Sequence, residues 1–345
     1  MRLKGWKIGF YWFAWIVCLG LLSCEKEALE TPDDNLCLYI QVPSTQTTKA
    51  ISDPGSATQE GEDWDRLAVI FVYDETNTEG NNKIIVKNIS KSEFDNLPNS
   101  TDYPGFKSIP LYIEAGRVYI YGVTYSEGVN GDLTLAIERC STKKAVEQLT
   151  ISNDYGKELN EDGSAKEGTL DYAKFLSVAT GYYKGTGTTP AEYKISYDGN
   201  GSSASMTLTR LAAKIDIQWD AADAYGQGYT DVKVKGFNFN GTKVGRLFPD
   251  IESSEYTAEK NPKTFYNTSE ISQRNGRVYH YTFPDGVSVP SVKFKIDAEK
   301  SDATIPDDGY SYTLNFTSAL QQATWYKVNA TIKGITGDGT ITLGN

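Results

Sequence analysis

Histidine is all but missing from this chain: His280 is the only one among 345 residues. Any Ser-His-Asp triad would have to run through it, and no Gly-x-Ser-x-Gly elbow exists for it to serve. It sits in the alternation Tyr279-His280-Tyr281, so the tyrosines and the histidine point to opposite sides, and the histidine is expected on the solvent face of a strand. Cysteine is scarce as well, with four residues (Cys18, Cys24, Cys37, Cys140) and none of the C-x-x-C or Cys/His spacings that hold zinc. Cys37 and Cys140 could form one disulfide in an oxidising compartment; two unrelated free thiols is the reading favoured here.

Other sites fail for similar reasons. Asp198-Gly199-Asn200-Gly201-Ser202 begins like a calcium loop, but Thr209 stands where the bidentate Glu belongs. Gly185-x-Gly187 lacks the Lys-Ser/Thr of a phosphate loop. Both read as turns. Acidic pairs such as Asp33-Asp34 and Asp307-Asp308 are what 45 acids produce in loops. No enzyme, metal or cofactor is expected. Basic charge is also short: the net charge is −11 with no basic patch, which argues against nucleic acid as a partner.

Long apolar runs are absent but for one. Arg2, Lys4 and Lys7 precede an apolar stretch of 15 residues, Ile8 to Leu22, shorter than a spanning helix of ~20 residues requires. Leu21-Leu22-Ser23-Cys24 follows, and this order resembles a bacterial lipobox. Residues 1–23 therefore read as a signal peptide, with cleavage before Cys24 and acylation of Cys24 as the expected outcome. Removing the three basic residues takes the net charge from −11 to about −14. Residues 24–35 read as a lipidated tether, in which Glu25-Lys26-Glu27 resembles an export tag of Gram-negative surface lipoproteins.

Tyr (23) and Gly (31) are abundant, a mix that favours strands joined by turns. Leu36, Leu38, Ile40 and Val42 alternate with Cys37, Tyr39 and Gln41 as in a half-buried strand. Leu67 to Tyr73 is apolar throughout, a strand buried on both faces. Ser90 with Glu93 three residues on predicts a capped helical turn. Leu133, Leu135 and Ile137 alternate and predict another strand; Ser141 to Leu149 predicts a short helix. From Met206 to Trp219 the apolar positions switch from even to odd numbers near Thr209-Arg210, predicting a bulge or a hand-over between two cores. The expected organisation is a sandwich over 36–205 and a second over 206–345, built from period-2 strands such as Tyr310/Tyr312/Leu314/Phe316. A short likeness between Ala115-Gly116-Arg117-Val118-Tyr119 and Ala323-Thr324-Trp325-Tyr326 fits two related units.

Several segments, in order, resemble the fimbrillin family of lipoprotein fimbrial subunits. They are the lipobox at Cys24, the first strand ending in Thr47-Thr48-Lys49-Ala50, Leu67 to Asp74, and Ala115 to Tyr121. Phe175 to Gly181 and Leu208-Thr209-Arg210-Leu211-Ala212-Ala213-Lys214-Ile215-Asp216-Ile217 complete the set. The resemblance implies an all-β chain of two transthyretin-like β-sandwiches, located at the outer membrane and cell surface. It also implies polymerisation by β-strand exchange after a trypsin-like protease removes the first strand. The candidate exchanged residues are Leu36, Leu38, Ile40 and Val42, and the candidate cut is Lys49-Ala50, where the family usually has arginine. Arg66 is the first arginine after that strand. Thr340-Ile341-Thr342-Leu343 is a candidate donor. The implied partners are other subunits, the protease, the membrane through the lipid, and a host or bacterial surface ligand. A second reading is a non-polymerising surface lipoprotein that stacks glycans on exposed Tyr or Trp, although Trp219 and Trp325 fall in core-like strand patterns.

Overall fold

The computed structural model describes residues 37–43, 64–152, 176–196, 203–240, 244–251, 265–267, 270–302, 304–335, 337 and 339–343. The signal peptide, the tether, Leu36, Lys49-Ala50 and the Asp198–Ser202 turn lie outside the described residues. The first half forms β1 (Cys37–Gln41), β2 (Arg66–Thr76), β3 (Asn82–Ser90), β4 (Lys107–Pro110), β5 (Gly116–Tyr125), β6 (Thr150–Ser152), β7 (Ala179–Tyr182), β8 (Glu192–Ile195), β9 (Ala204–Thr207) and β10 (Thr209–Arg210). The second half forms β11 (Ala213–Asp220), β12 (Thr230–Asn240), β13 (Val244–Arg246), β14 (Phe265–Asn267), β15 (Asn275–Thr282), β16 (Ser291–Glu299), β17 (Tyr310–Phe316), β18 (Trp325–Thr331) and β19 (Gly339–Leu343).

The chain is an all-β sandwich protein. In the first sandwich the small sheet β4-β1-β9 faces the larger sheet β10-β7-β5-β2-β3, to which β8 adds along β5. Leu67, Val69 and Phe71 of β2 point into the core between these sheets, with Leu38, Ile40, Val118 and Ile120. Ala68, Ile70 and Val72 point the other way, into a second core. Every residue from Leu67 to Val72 is sealed from solvent, because each face of β2 has its own cover. The second core is capped by the helices Glu127–Glu138 and Lys143–Glu147, and by Leu247, Phe248, Tyr281 and Phe283 from the second half. The ladder between β6 and β13 also joins the two halves. The third core lies between the sheets β15-β11-β18 and β14-β12-β16-β17-β19.

One plan is used twice. β1 has an antiparallel neighbour, β4, and a parallel one, β9. β11 has the same pair of relations, to β15 and β18. β2 runs antiparallel between β3 and β5, as β12 does between β14 and β16. The short likeness of 115–119 to 323–326 does not mark this repeat, since β5 and β18 hold different places in it.

The run from Met206 to Trp219 visits all three cores. Met206 and Leu208 enter the first, Leu211 and Ala212 the second, and Ala213, Ile215, Ile217 and Trp219 the third. β9 and β10 bond within the first sandwich, to β1 and β7, and β11 opens the second sandwich at Ala213.

Local signals at one helix hold in detail. Ser90 Oγ accepts from the Glu93 amide at 3.2 Å, and the Glu93 carboxylate accepts from the Ser90 amide at 2.7 Å. This closes a capping box on Lys91–Asn96. The expected strand at 133–137 is instead part of the helix Glu127–Glu138. Leu133 and Ile137, four apart, share the buried face, while Leu135 is 52 % exposed. Apolar residues at i, i+2 and i+4 satisfy both periods, and the layer above β5 decides for the helix.

His280 is corrected too. It is fully buried and stacks on Phe239 with ring centroids 4.4 Å apart. Tyr281 turns toward the second core, so both faces of β15 are covered and neither is a solvent face. Burial pushes the His280 pKa down to about 3. The unfolded chain takes up this proton near pH 6.5, whereas the folded chain refuses it until about pH 3. Stability is thus complete above pH 6.5 and falls as pH drops toward 3, by roughly 2 kcal/mol between pH 7 and pH 5 from this residue. His280→Leu should flatten the pH 7-to-5 difference in urea-unfolding free energy by about that amount.

A candidate functional site at the first strand

β1 is the middle strand of its sheet, and its backbone is held on both sides. Cys37, Leu38, Tyr39 and Ile40 register with Pro110, Ile109, Ser108 and Lys107 of β4. Leu38 to Gln41 register with Ala204 to Thr207 of β9. The ladder continues past β9, where the Leu208 amide donates to the Gln41 carbonyl at 2.8 Å. Alternation sends Leu38 and Ile40 inward to 0 % exposure, onto the floor made by β2 and β5. Val42 packs partly against the same core. Burying Leu38 and Ile40 contributes about 3–6 kcal/mol together.

Each wall of this slot also has a contact outside β1. The end of β9 presses on β7 so closely that a Cβ at Gly181 would lie 2.4 Å from the Thr207 carbonyl oxygen. Only glycine permits that approach. On the other wall, Lys87 Nζ donates to the Pro110 carbonyl at 3.1 Å, and burial lowers its pKa.

The outward face of β1 carries a cover that strand periodicity did not reveal. The loop between the helix Lys91–Asn96 and β4 lays Tyr103 on Tyr39, with ring centroids 4.9 Å apart. Phe106 extends the cluster at 5.8 Å from Tyr103. The same loop brings Gly105, at φ +84°, beside the Gln41 amide. Tyr39 was visible as an outward strand residue; its partner was not, because loop residues carry no period.

The equivalent strand of the second sandwich is held differently. On the outer face of β11, Asp216 is fully buried. Arg277 on β15 donates to it through Nε and Nη2, both at 2.7 Å, and Trp325 on β18 donates through Nε1 at 2.9 Å. Burial opposes the Asp216 charge, but Arg277, Trp325 and Gln218 outweigh it and hold the pKa below the ordinary carboxylate value. Charge-assisted bonds of this kind contribute about 1.5–3 kcal/mol each. β11 is thus clamped to both neighbours by an ion pair and an indole, whereas β1 carries there a tyrosine ring contact and a neutral hydrogen bond from Thr207 Oγ1 of β9 to Gln41 Oε1 at 3.3 Å.

Other residues singled out in the sequence fall elsewhere. Arg66 opens β2, in register with Ser90 and Tyr125, and its guanidinium is paired with Glu127, which keeps it charged. It belongs to the sheet rather than to a presented loop. Cys37 and Cys140 are free and half-buried. Trp219 lies in the third core, and Asp308 pairs with Lys295 at 2.9 Å. Among the described residues no group of three or more His, Cys, Asp or Glu is placed to hold a metal, and no helix is long and apolar enough to cross a membrane.

No family model and no curated protein matches this chain. Solved structures do. A candidate cell adhesion protein from Bacteroides eggerthii is similar at 13 % identity and TM-score 0.42, over 89 % of this chain and 90 % of that one. A fimbrial assembly protein from Parabacteroides distasonis is similar at 13 % identity and TM-score 0.40, over 85 % and 89 %. The fimbrial anchor protein Mfa2 from Porphyromonas gingivalis is similar at 11 % identity and TM-score 0.36, over 75 % and 77 %.

Two substitutions separate the anchors of β1 from its cover. Ile40→Ala should cost about 2–5 kcal/mol in urea unfolding. Tyr103→Ala should cost only about 0.5–1.5 kcal/mol, yet speed amide hydrogen exchange in β1 while leaving β2 unchanged.

Proposed function

We propose that this protein is a structural and adhesive fimbrial subunit, exported as a lipoprotein acylated at Cys24 and joined to its neighbours by β-strand exchange. The observation that carries this reading is the place of β1: a central strand with two ladders and two fully buried anchors. Once β1 departs, the slot exposes the floor residues Val69, Phe71 and Ile120. A strand with an apolar residue at every second position restores both ladders and the buried surface, which is the logic of β-augmentation.

The strand leaves after one cut in the segment that follows it, and Lys49-Ala50 is our candidate for a trypsin-like protease. Arg66 is the weaker candidate, because cutting there enters the β2 ladder. β19 is a candidate donor. It adds parallel to β17 at the edge of its sheet, from Gly339 on Tyr312 to Leu343 on Phe316, and Ile341 and Leu343 alternate along it. The partners on this reading are other subunits, the protease and the outer membrane, with β1 retained until the chain reaches the surface.

A second reading rests on a specific patch. Tyr39, Tyr103 and Phe106 stand together, with Tyr103 37 % exposed, and Tyr112 is 65 % exposed. Such rings stack on sugars, so a non-polymerising glycan-binding surface lipoprotein is the alternative.

One treatment separates the two. Limited digestion of the full chain with trypsin should clip near Lys49 and produce a ladder of oligomers resistant to mild detergent. Lys49→Ala should lose both the clip and the ladder. A clipped or intact chain that stays monomeric but is retarded in polysaccharide gels favours the alternative. Lipid labelling is a separate check: Cys24→Ala should abolish incorporation of labelled palmitate, and retained label would refute acylation at that residue.

A further inference from the structure

The slot that β1 fills has a roof as well as a floor. Residues 98–106, between the helix Lys91–Asn96 and β4, cross the outward face of β1 as a strap braced on itself. The Ser100 hydroxyl accepts from the amides of Asp102 and Tyr103 at 3.2 and 2.9 Å, and the Tyr103 carbonyl accepts from the Phe106 amide at 3.1 Å. Lys107 Nζ ties the end of the strap to the carbonyls of Asp95 and Leu97 at 3.0 and 2.8 Å. None of these bonds uses a residue of β1, so the backbone at Tyr103 is placed by the strap's own turns. The strap meets β1 at two points. Tyr103 lies on Tyr39 at 4.9 Å between ring centroids, with Phe106 behind it. Gly105 comes so near that a Cβ there would lie 3.2 Å from Gln41 Nε2, while Gln41 Oε1 accepts from Thr207 Oγ1 at 3.3 Å.

Floor and roof therefore read different residues of the strand between them. The floor takes the inward anchors Leu38 and Ile40. Side chains along a strand alternate, so the residue between two inward anchors faces outward whichever way the strand runs. In β1 that residue is Tyr39, directly beneath Tyr103. We propose that the strap makes the slot selective: it favours a strand of a partner subunit that carries an aromatic residue between two aliphatic anchors, and Tyr103 is the specificity-determining residue. The inference rests on the strand-exchange reading and adds to it a ranking of donors. β19 shows the consequence. Ile341 and Leu343 have the spacing of the anchors, but Thr342 stands between them, and Gly344 follows Leu343 where Gln41 follows Ile40. Threonine gives Tyr103 no ring to stack on, and glycine gives Thr207 no side-chain amide to bond. The β19 of a second copy meets the floor and leaves the roof unmatched. The favoured donor is a subunit of a different kind.

The test cuts the full chain between β1 and β2, with trypsin or at an introduced protease site, and lets fluorescein-labelled peptides replace β1. One peptide copies residues 36–42 with Cys37→Ser, and a second also carries Tyr39→Thr. By fluorescence anisotropy the tyrosine peptide should bind about five-fold more tightly than the threonine peptide. With Tyr103→Ala in the cut chain the two peptides should bind alike, and with Tyr103→Phe the preference should return. Equal affinities for the unaltered chain, or a preference that survives Tyr103→Ala, would overturn the proposal and leave strand exchange standing. Failure of both peptides to enter the cut chain would overturn strand exchange and the selectivity with it.

Discussion

A strand with neighbours on both sides cannot leave a sheet without breaking two ladders at once, and β1 is such a strand. The first sandwich is built around this constraint. Leu38 and Ile40 complete its core, β4 and β9 flank them, and the close approach at Gly181 keeps the β9 side in place. The filled slot is stable because hydrophobic burial and backbone pairing coincide in one short segment. The same coincidence makes an empty slot costly, and that cost is the driving force our functional reading invokes.

The comparison with β11 sharpens this. Both central strands have one antiparallel and one parallel neighbour, so topology alone does not distinguish them. Chemistry does. Asp216 ties β11 to Arg277 on one side and Trp325 on the other through charge-assisted bonds made where water is excluded. Connectivity adds to this, since β11 runs directly into the chain at both ends, whereas a single cut in the segment after β1 separates it from β2 onward. Of two strands with equivalent places, one is clamped by charge and continuous, and the other is held by ladders, apolar burial, a tyrosine pair and one neutral side-chain bond.

The middle core links the two halves. Tyr121, Tyr182 and Phe248 pack together there, with Tyr121 donating to Glu147 at 2.7 Å and Tyr182 to Asp250 at 2.8 Å. Burial raises the pKa of both phenols, so they remain neutral donors throughout the physiological range. Asp250 belongs to the second half and Tyr182 to the first, so this bond and the β6–β13 ladder set the two sandwiches in one arrangement.

Much of this was legible from residue order. Alternation by itself determined the all-β class, the inward pair Leu38 and Ile40, and the change of phase near Thr209-Arg210, and an unbroken apolar run determined the double-sided burial of Leu67 to Val72. Ser90 and Glu93 determined the capping box, because its contacts span only three residues. What only tertiary structure decided concerns second faces and distant partners. Whether His280 meets solvent or Phe239, whether Leu133 to Ile137 is helix or strand, and which ring covers Tyr39 all depend on layers contributed from far along the chain. Period-2 alternation reports that one face of a strand is drier than the other. In a molecule with three cores the other face is often covered as well, and only the packing of layers determines by what.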